Sequence, residues 1–347
     1  MTLALALASA GLFQWLHAPL PWMIGPLLTT AVLGIAGLPL LGSNRLRNVG
    51  QWMIGIALGL YFTPDVVGLL LQMAPAVVAG SVWALVMGYL SYRLLLRAGN
   101  DNEAGNDATD HATAFFAGAI GGASEMALLA ERNGGRVDRV AAAHSMRVLI
   151  VVVLVPFLFQ ASGLHGADPS QQAVHAIDPL GLLLLLAASA GGIALMGRLG
   201  TPNPFVLGAL LVTIGLTASG IELSALPKAA SNAGQLFIGV ALGARFTPEF
   251  ARAAPRWLGV VFGSTLLLIA ASAAFAWLLA RGSGLHPASV MLGTAPGGMA
   301  EMCITAKVLQ LGVPVVTAFH VVRYVVVLTL TAPLYRRVLR RALRRPL

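Results

Sequence analysis

Charge is what this sequence has least of. Only 10% of its 347 residues are Asp, Glu, Lys or Arg, where soluble domains carry about 25%. A water-soluble chain so depleted would expose large apolar patches, so a soluble globular class is excluded. Cysteine is nearly absent. Cys303 stands alone, which leaves no disulfide framework and no Cys-based metal site. Long polar stretches are missing too. The longest, residues 99–112, reads as a loop. A nucleic-acid partner needs a basic face on a folded module, such as a helix-turn-helix or β-ribbon, and no stretch supplies one. Cofactors and metals are not expected. His17, His165, His175 and His286 fall at loops or segment ends, and copper or iron chemistry needs clustered ligands. No nucleophile-base spacing stands out, so an enzyme is not expected.

Apolar residues are there instead, at 57%, with a mean hydropathy of +0.82. They come in blocks. Residues 69–87, 180–196 and 257–280 approach or exceed the roughly 20 residues that span a bilayer. Six of the 22 Lys and Arg crowd between positions 336 and 345, as a cytoplasmic anchor beside anionic lipid would. Residues 1–17 have the apolar core of a signal peptide but no basic region before it. The composition predicts an all-α polytopic protein of the bacterial inner membrane. Its partners are the lipid bilayer and a small molecule or ion. A homodimer is the protein partner considered.

The chain is a duplication. Asn48-Val-Gly-Gln-Trp-Met-Ile-Gly-Ile-Ala-Leu-Gly-Leu-Tyr-Phe-Thr-Pro64 matches Asn232-Ala-Gly-Gln-Leu-Phe-Ile-Gly-Val-Ala-Leu-Gly-Ala-Arg-Phe-Thr-Pro248 at offset 184, with 11 of 17 positions identical. Gly121-Gly-Ala-Ser-Glu-Met126 matches Gly297-Gly-Met-Ala-Glu-Met302 at offset 176, and the same offset carries His144 onto His320 and Arg147 onto Arg323. Pro21-Trp-Met-Ile-Gly25 matches Pro204-Phe-Val-Leu-Gly208. Three matched blocks in one order make chance an untenable explanation. The repeats divide the chain into 1–163, a linker at 164–177, and 178–347 with the basic tail.

Each repeat reads as six apolar segments: 1–17, 20–41, 47–62, 66–97, 114–132 and 137–161, then 178–198, 203–221, 230–246, 256–280, 289–308 and 313–335. The first is shorter at its start than its partner, which points to a start codon further upstream. The fifth is broken by Gly121-Gly122 in one repeat and by Pro296-Gly297-Gly298 in the other. Glycine pairs and proline interrupt helices, and broken backbone at membrane depth is tolerated only under cover of protein or a water-filled cavity. A re-entrant hairpin fits.

Charge bias agrees. With the C-terminus inside and re-entrant fifth segments, 17 Lys/Arg lie inside, including Arg45, Arg47, Arg139 and Arg245, while Lys228, Arg281 and Lys307 lie outside. Both termini are then cytoplasmic and the linker, with Asp168 and Asp178, periplasmic. Five crossings per repeat, an odd number, invert the second repeat relative to the first. Inverted repeats with broken helices are the architecture of many secondary transporters.

These three duplicated blocks resemble the AbrB family of bacterial membrane proteins, also labelled an ammonia monooxygenase. The resemblance covers nearly the whole chain, from Ala18 to about Arg341. It implies an inner-membrane protein with two copies of one domain. Its names imply an association with gene regulation and an oxygenase activity. Neither follows from these residues, and a regulatory effect would be indirect, through transport or sensing.

Four sets of residues are candidates for binding a substrate or ion. Glu125 and Glu301 each follow a glycine break, Gly121-Gly122 and Gly297-Gly298. A carboxylate at membrane depth costs at least ~2.5–3.5 kcal/mol, so each is a proton or cation site, or else a hairpin cap. His144 with Arg147, and His320 with Arg323, share a helix face at i, i+3. Each Arg needs an anion, either a hairpin Glu or a substrate, unless it snorkels to the interface. Asn48 with Gln51, and Asn232 with Gln235, share one face of the third segment, as helix glue or as a cavity lining. The Gly-x-x-x-Gly pairs 55/59 and 239/243 read as close helix packing. The expected function is secondary transport of a small, anionic solute, with a membrane-embedded regulator or sensor as the alternative.

Overall fold

The computed structural model describes residues 1–40, 42–102, 109–163, 166, 177–248, 250 and 255–343. Most of the interrepeat linker, with His165, Asp168 and His175, lies outside these residues. The described residues form helices and no strand. In chain order the helices are α1 (Thr2–Trp15), α2 (Pro21–Ile35), α3 (Asn44–Gly59), α4 (Pro64–Gln72), α5 (Ala74–Asn102), α6 (His111–Gly118), α7 (Ala123–Arg132), α8 (Val137–Ser162), α9 (Pro179–Arg198), α10 (Pro204–Ala218), α11 (Lys228–Gly243), α12 (Pro255–Ser283), α13 (Pro287–Thr294), α14 (Met299–Val308) and α15 (Val313–Leu343).

The chain is an all-α polytopic membrane protein. Ala74–Ala98, Val137–Ser162, Pro179–Arg198, Arg256–Ser283 and Val313–Val338 are each long and apolar enough to cross a bilayer. Helices α3 and α4 pass that test together, bent by 87°. Helices α1, α2 and α10 are apolar but have only 14 or 15 residues, or about 21–23 Å at ~1.5 Å per residue. The outer faces carry exposed Leu7, Leu71, Val82, Leu183, Leu195, Leu267 and Leu278. In water such a surface would aggregate, and in a bilayer it is the lipid contact.

Segment ends follow local chemistry. Proline opens α2, α4, α9, α10 and α13 at the first turn, where its missing N–H costs nothing. Ser43, Asp110 and Asp178 cap α3, α6 and α9 through their side chains. Thr63 stands at the cap position of α4, but its hydroxyl makes no cap bond. Thr247 does make one, accepting from the Phe250 N–H at 3.2 Å. The fourth segment of repeat 1 is two helices rather than one, since the chain turns at Met73 between α4 and α5.

Two compact units share the chain. The first comprises Met1–Met73, Val155–Ala251 and Ala300–Thr317, and the second Ala74–Leu154, Arg252–Met299 and Ala318–Leu347. Each takes elements from both repeats. In the first unit α3 packs on α10 and α11 on α2, with matching close contacts. A Cβ on Gly55 would lie 2.7 Å from the Val206 carbonyl oxygen, and one on Gly239 would lie 2.5 Å from that of Met23. Left-handed backbone recurs in register as well, at His17 and Gly200, Leu20 and Asn203, Gly37 and Gly220, and Gly134 and Gln310. The second unit is built around an aromatic core of Tyr92, Phe115, Phe116, Trp257 and Tyr335, with Trp83 stacked on Phe275 at 4.4 Å.

Candidate functional site: two supported helix breaks and a polar crossing

Both fifth segments are broken helices. In repeat 1, α6 stops at Gly118, the chain runs extended through Ala119 and Gly122, and α7 begins at Ala123. A helix that stops inside the membrane leaves up to four carbonyls without partners, carrying the negative end of its dipole. Helix α8 supplies the answer. His144 bonds through Nε2 to the Phe116 carbonyl at 3.0 Å. Arg147 donates from Nη1 to Gly118 O at 3.2 Å and from Nη2 to Ala119 O at 2.8 Å. Arg147 Nη2 also lies 2.8 Å from His144 Nδ1. A guanidinium only donates, so Nδ1 accepts and the proton sits on Nε2. The His is neutral, and it donates to the broken helix.

Repeat 2 has the same device. His320 Nε2 donates to Leu292 O at 3.0 Å. Arg323 donates to Ala295 O at 2.6 Å, to Gly297 O at 2.8 Å and to His320 Nδ1 at 2.7 Å. The four side chains are between 1% and 6% exposed, so neither Arg reaches out along the surface. For Arg147 an anion is not the partner. Helix carbonyls take that place, because a C-terminal dipole already provides the negative potential a buried guanidinium needs. Tyr324 brings α15 to the first break, its hydroxyl 3.4 Å from Glu125 Oε1.

The two glutamates have different surroundings. Glu125 sits in the first turn of α7, half-buried and folded back against Gly122, with Oε2 buried and without a hydrogen-bond partner. Glu301 sits in the first turn of α14 and is 8% exposed. Helix α14 belongs to the first unit, whereas α7 belongs to the second. The cations whose field reaches Glu301 are Arg47 and Arg245.

The polar residues of the third segments gather where α3 and α11 cross. Gln51 and Gln235 are buried, and Asn48 and Asn232 are half-buried. Gln51 Nε2 and Arg47 Nη2 each lie 3.5 Å from Asn203 Oδ1. Asn203 is the left-handed residue that opens α10, and its side chain makes no cap bond there. Arg47, Asn203 and Arg245 were not singled out from the sequence. Their only signal there was that they break the repeat, standing where the other copy has Ser231, Leu20 and Tyr61. Cys303 is fully buried and accepts from the Thr317 hydroxyl at 3.3 Å. Among the described residues no group of His, Cys, Asp and Glu is arranged to hold a metal.

The family model described as "Transition state regulatory protein AbrB" matches residues 22–339, nearly the whole chain. The chain belongs to the AbrB family. A Bacillus subtilis (strain 168) protein, YhjN, uncharacterized by its name, is 28% identical over 343 residues, covering 91% of this chain and 86% of its own length. A provisionally named regulator AbrB of Escherichia coli (strain K12) is 23% identical over 329 residues, covering 92% of this chain and 90% of its own. No solved structure matches. The residues matched to the AbrB family include both helix breaks and the α3–α11 crossing.

Proposed function

We propose that this protein is a secondary transporter of a small anionic solute in the bacterial inner membrane. The observation that carries the reading is the duplicated break. Two half-helices end inside apolar segments, and each is held by an equivalent His–Arg pair that reaches two equivalent carbonyls, Phe116 and Ala119 in one repeat and Leu292 and Ala295 in the other, and a third that differs, Gly118 against Gly297. Maintaining one such break costs desolvation of a guanidinium and an imidazole. Maintaining two at equivalent places suits a machine that uses both. Transporters built from repeats place substrate and coupling-ion sites at such discontinuous helices.

A second observation supports it. The equivalent half-helices α7 and α14 belong to different compact units, so one repeat design adopts two environments in a single chain. Exchange of those environments between the copies is the motion that alternating access requires. The alternative is a membrane-embedded regulator or sensor, favoured by the name of the E. coli relative. It uses the same site without a transport cycle. Purified protein in proteoliposomes separates the two. Uptake of a carboxylate solute under an imposed gradient supports transport. Binding in detergent without any flux across the same panel supports sensing.

A further inference from the structure

We propose that a cavity between α5 and α15 binds one acyl chain of an anionic phospholipid, with the lipid phosphate on Arg337. The site stands apart from the transport reading and does not depend on it.

The first observation is a gap between two helices that touch elsewhere. Near their starts α5 and α15 are in contact, where a Cβ on Gly80 would lie 2.5 Å from the Phe319 ring. Further along, Phe115 of α6 joins them, its ring centroid 5.5 Å from that of Tyr92 and 5.3 Å from that of Tyr335. Along this stretch the helices leave a cavity of about 410 Å³, a size typical of small-ligand sites. Its floor is the first helix break, through Ala119 and Ile120. Gly88 of α5 lines it opposite Ala119 and brings no side chain to fill it.

The second observation is what surrounds the cavity. Its walls belong to the apolar spans Ala74–Ala98 and Val313–Val338. Val82 and Val86 line it from the middle of the first span and are 54% and 43% exposed. At that depth the solvent is hydrocarbon, so the cavity opens towards acyl chains rather than water. The α15 wall is apolar as well. Thr331 turns its hydroxyl back to the Val327 carbonyl, which leaves methyl groups to face the ligand. An apolar cavity that opens on the bilayer is filled from the bilayer.

The third observation is the polar end. Arg337 lines the cavity, is exposed, and stands one residue before the end of its span. Tyr89 lines it too and is exposed. Its hydroxyl accepts from Arg93 Nη1 at 3.2 Å, so the phenolic proton remains to be donated. A guanidinium and a phenol at the interfacial end of an apolar slot suit a phosphate above an acyl chain. Net negative charge is favoured over a zwitterion by the run of arginines that starts at Arg336. The equivalent stretch of α8, residues 148–162, has no charged residue, so only one copy offers this end.

The placement gives the lipid a consequence. A chain in the cavity rests on Ala119, whose carbonyl accepts from Arg147 at 2.8 Å. Lipid and guanidinium then hold the same residue of the break, so a lipid that binds the folded chain stabilises it.

The test is native mass spectrometry of the full chain in detergent, with phosphatidylglycerol and phosphatidylcholine of identical acyl chains offered at equal concentration and constant ionic strength. We expect phosphatidylglycerol to be retained in preference and to raise the melting temperature. Arg337→Gln should lower its retention about fivefold, while Arg336→Gln, the neighbouring charge that does not line the cavity, should change it little. Val86→Trp at the mouth should block retention. Should that variant not fold, phosphatidylglycerol with a diazirine in its acyl chain gives the same information, and its crosslinks should map to residues 82–89 and 327–338. The proposal is overturned if phosphatidylcholine is retained equally, if Arg336→Gln and Arg337→Gln behave alike, or if the crosslinks fall elsewhere. It is overturned too if free oleate is retained as well as the phospholipid, which would make the site one for any amphiphilic anion. A dimer that forms without lipid and is broken by Val86→Trp would assign the face to a second copy and overturn it likewise.

Discussion

Gly50 and Gly234 face each other where α3 and α11 cross. A Cβ on Gly50 would lie 2.7 Å from Gly234 O, and one on Gly234 would lie 3.1 Å from Gly50 O. The contact is reciprocal, and the two residues are equivalent in the repeats. A local two-fold therefore passes between them. Gly55 of α3, packed against α10, and Gly239 of α11, packed against α2, are a second equivalent pair of close contacts.

Substituting these glycines should therefore destabilise by overpacking. Gly50→Ala and Gly55→Ala are each expected to cost about 1–3 kcal/mol, read as a lowered melting temperature in detergent. Gly263→Ala on α12 should do the opposite. Nothing lies within 4 Å of a Cβ there, and alanine in a helix gains about 0.5–1 kcal/mol over glycine.

The helix breaks depend on the guanidinium fork. Arg147→Lys and Arg323→Lys keep the charge but cannot hold two carbonyls and the imidazole together. Each leaves a buried carbonyl unpaired at about 1–3 kcal/mol. The two losses of thermal stability should be similar, because the two geometries are. A large loss at one site and none at the other would contradict the equivalence.

The same hydrogen bonds fix a tautomer. His144 and His320 each accept from Arg at Nδ1, so both should be neutral with the proton on Nε2. Nitrogen-15 spectra of histidine-labelled protein read this directly. Replacing Arg323 by Met should release His320 from that single form.

Much of this was legible in the sequence. The fifth segments break at Gly121-Gly122 and Gly297-Gly298 because glycine pairs do not hold a helix, and the i, i+3 spacing put His144 and Arg147 on one face. The partner of Arg147 was not legible. Sequence names side chains, and the partner there is a set of backbone carbonyls that exist as a target only once α6 stops. Arg245 was hidden for a different reason. It sits inside a repeated block, Gly-x-x-Phe-Thr-Pro, where similarity drew attention to what is shared and away from the one position that differs. Asn203 was masked by its role before Pro204, since Asn tolerates left-handed backbone and reads as a turn residue.

Topology is open to a simple check. The inverted-repeat arrangement places residue 170 and the C-terminus on opposite sides of the membrane. Reporter fusions at these two points should give opposite compartments, and the same compartment for both would break the inversion.

The most direct test of a transport cycle is counterflow. Proteoliposomes are loaded with unlabelled carboxylate, and labelled solute is added outside without any ion gradient. A site that opens alternately to both sides exchanges the two, so label should accumulate transiently inside. Label that binds to the protein but never enters the vesicles would contradict the transporter account.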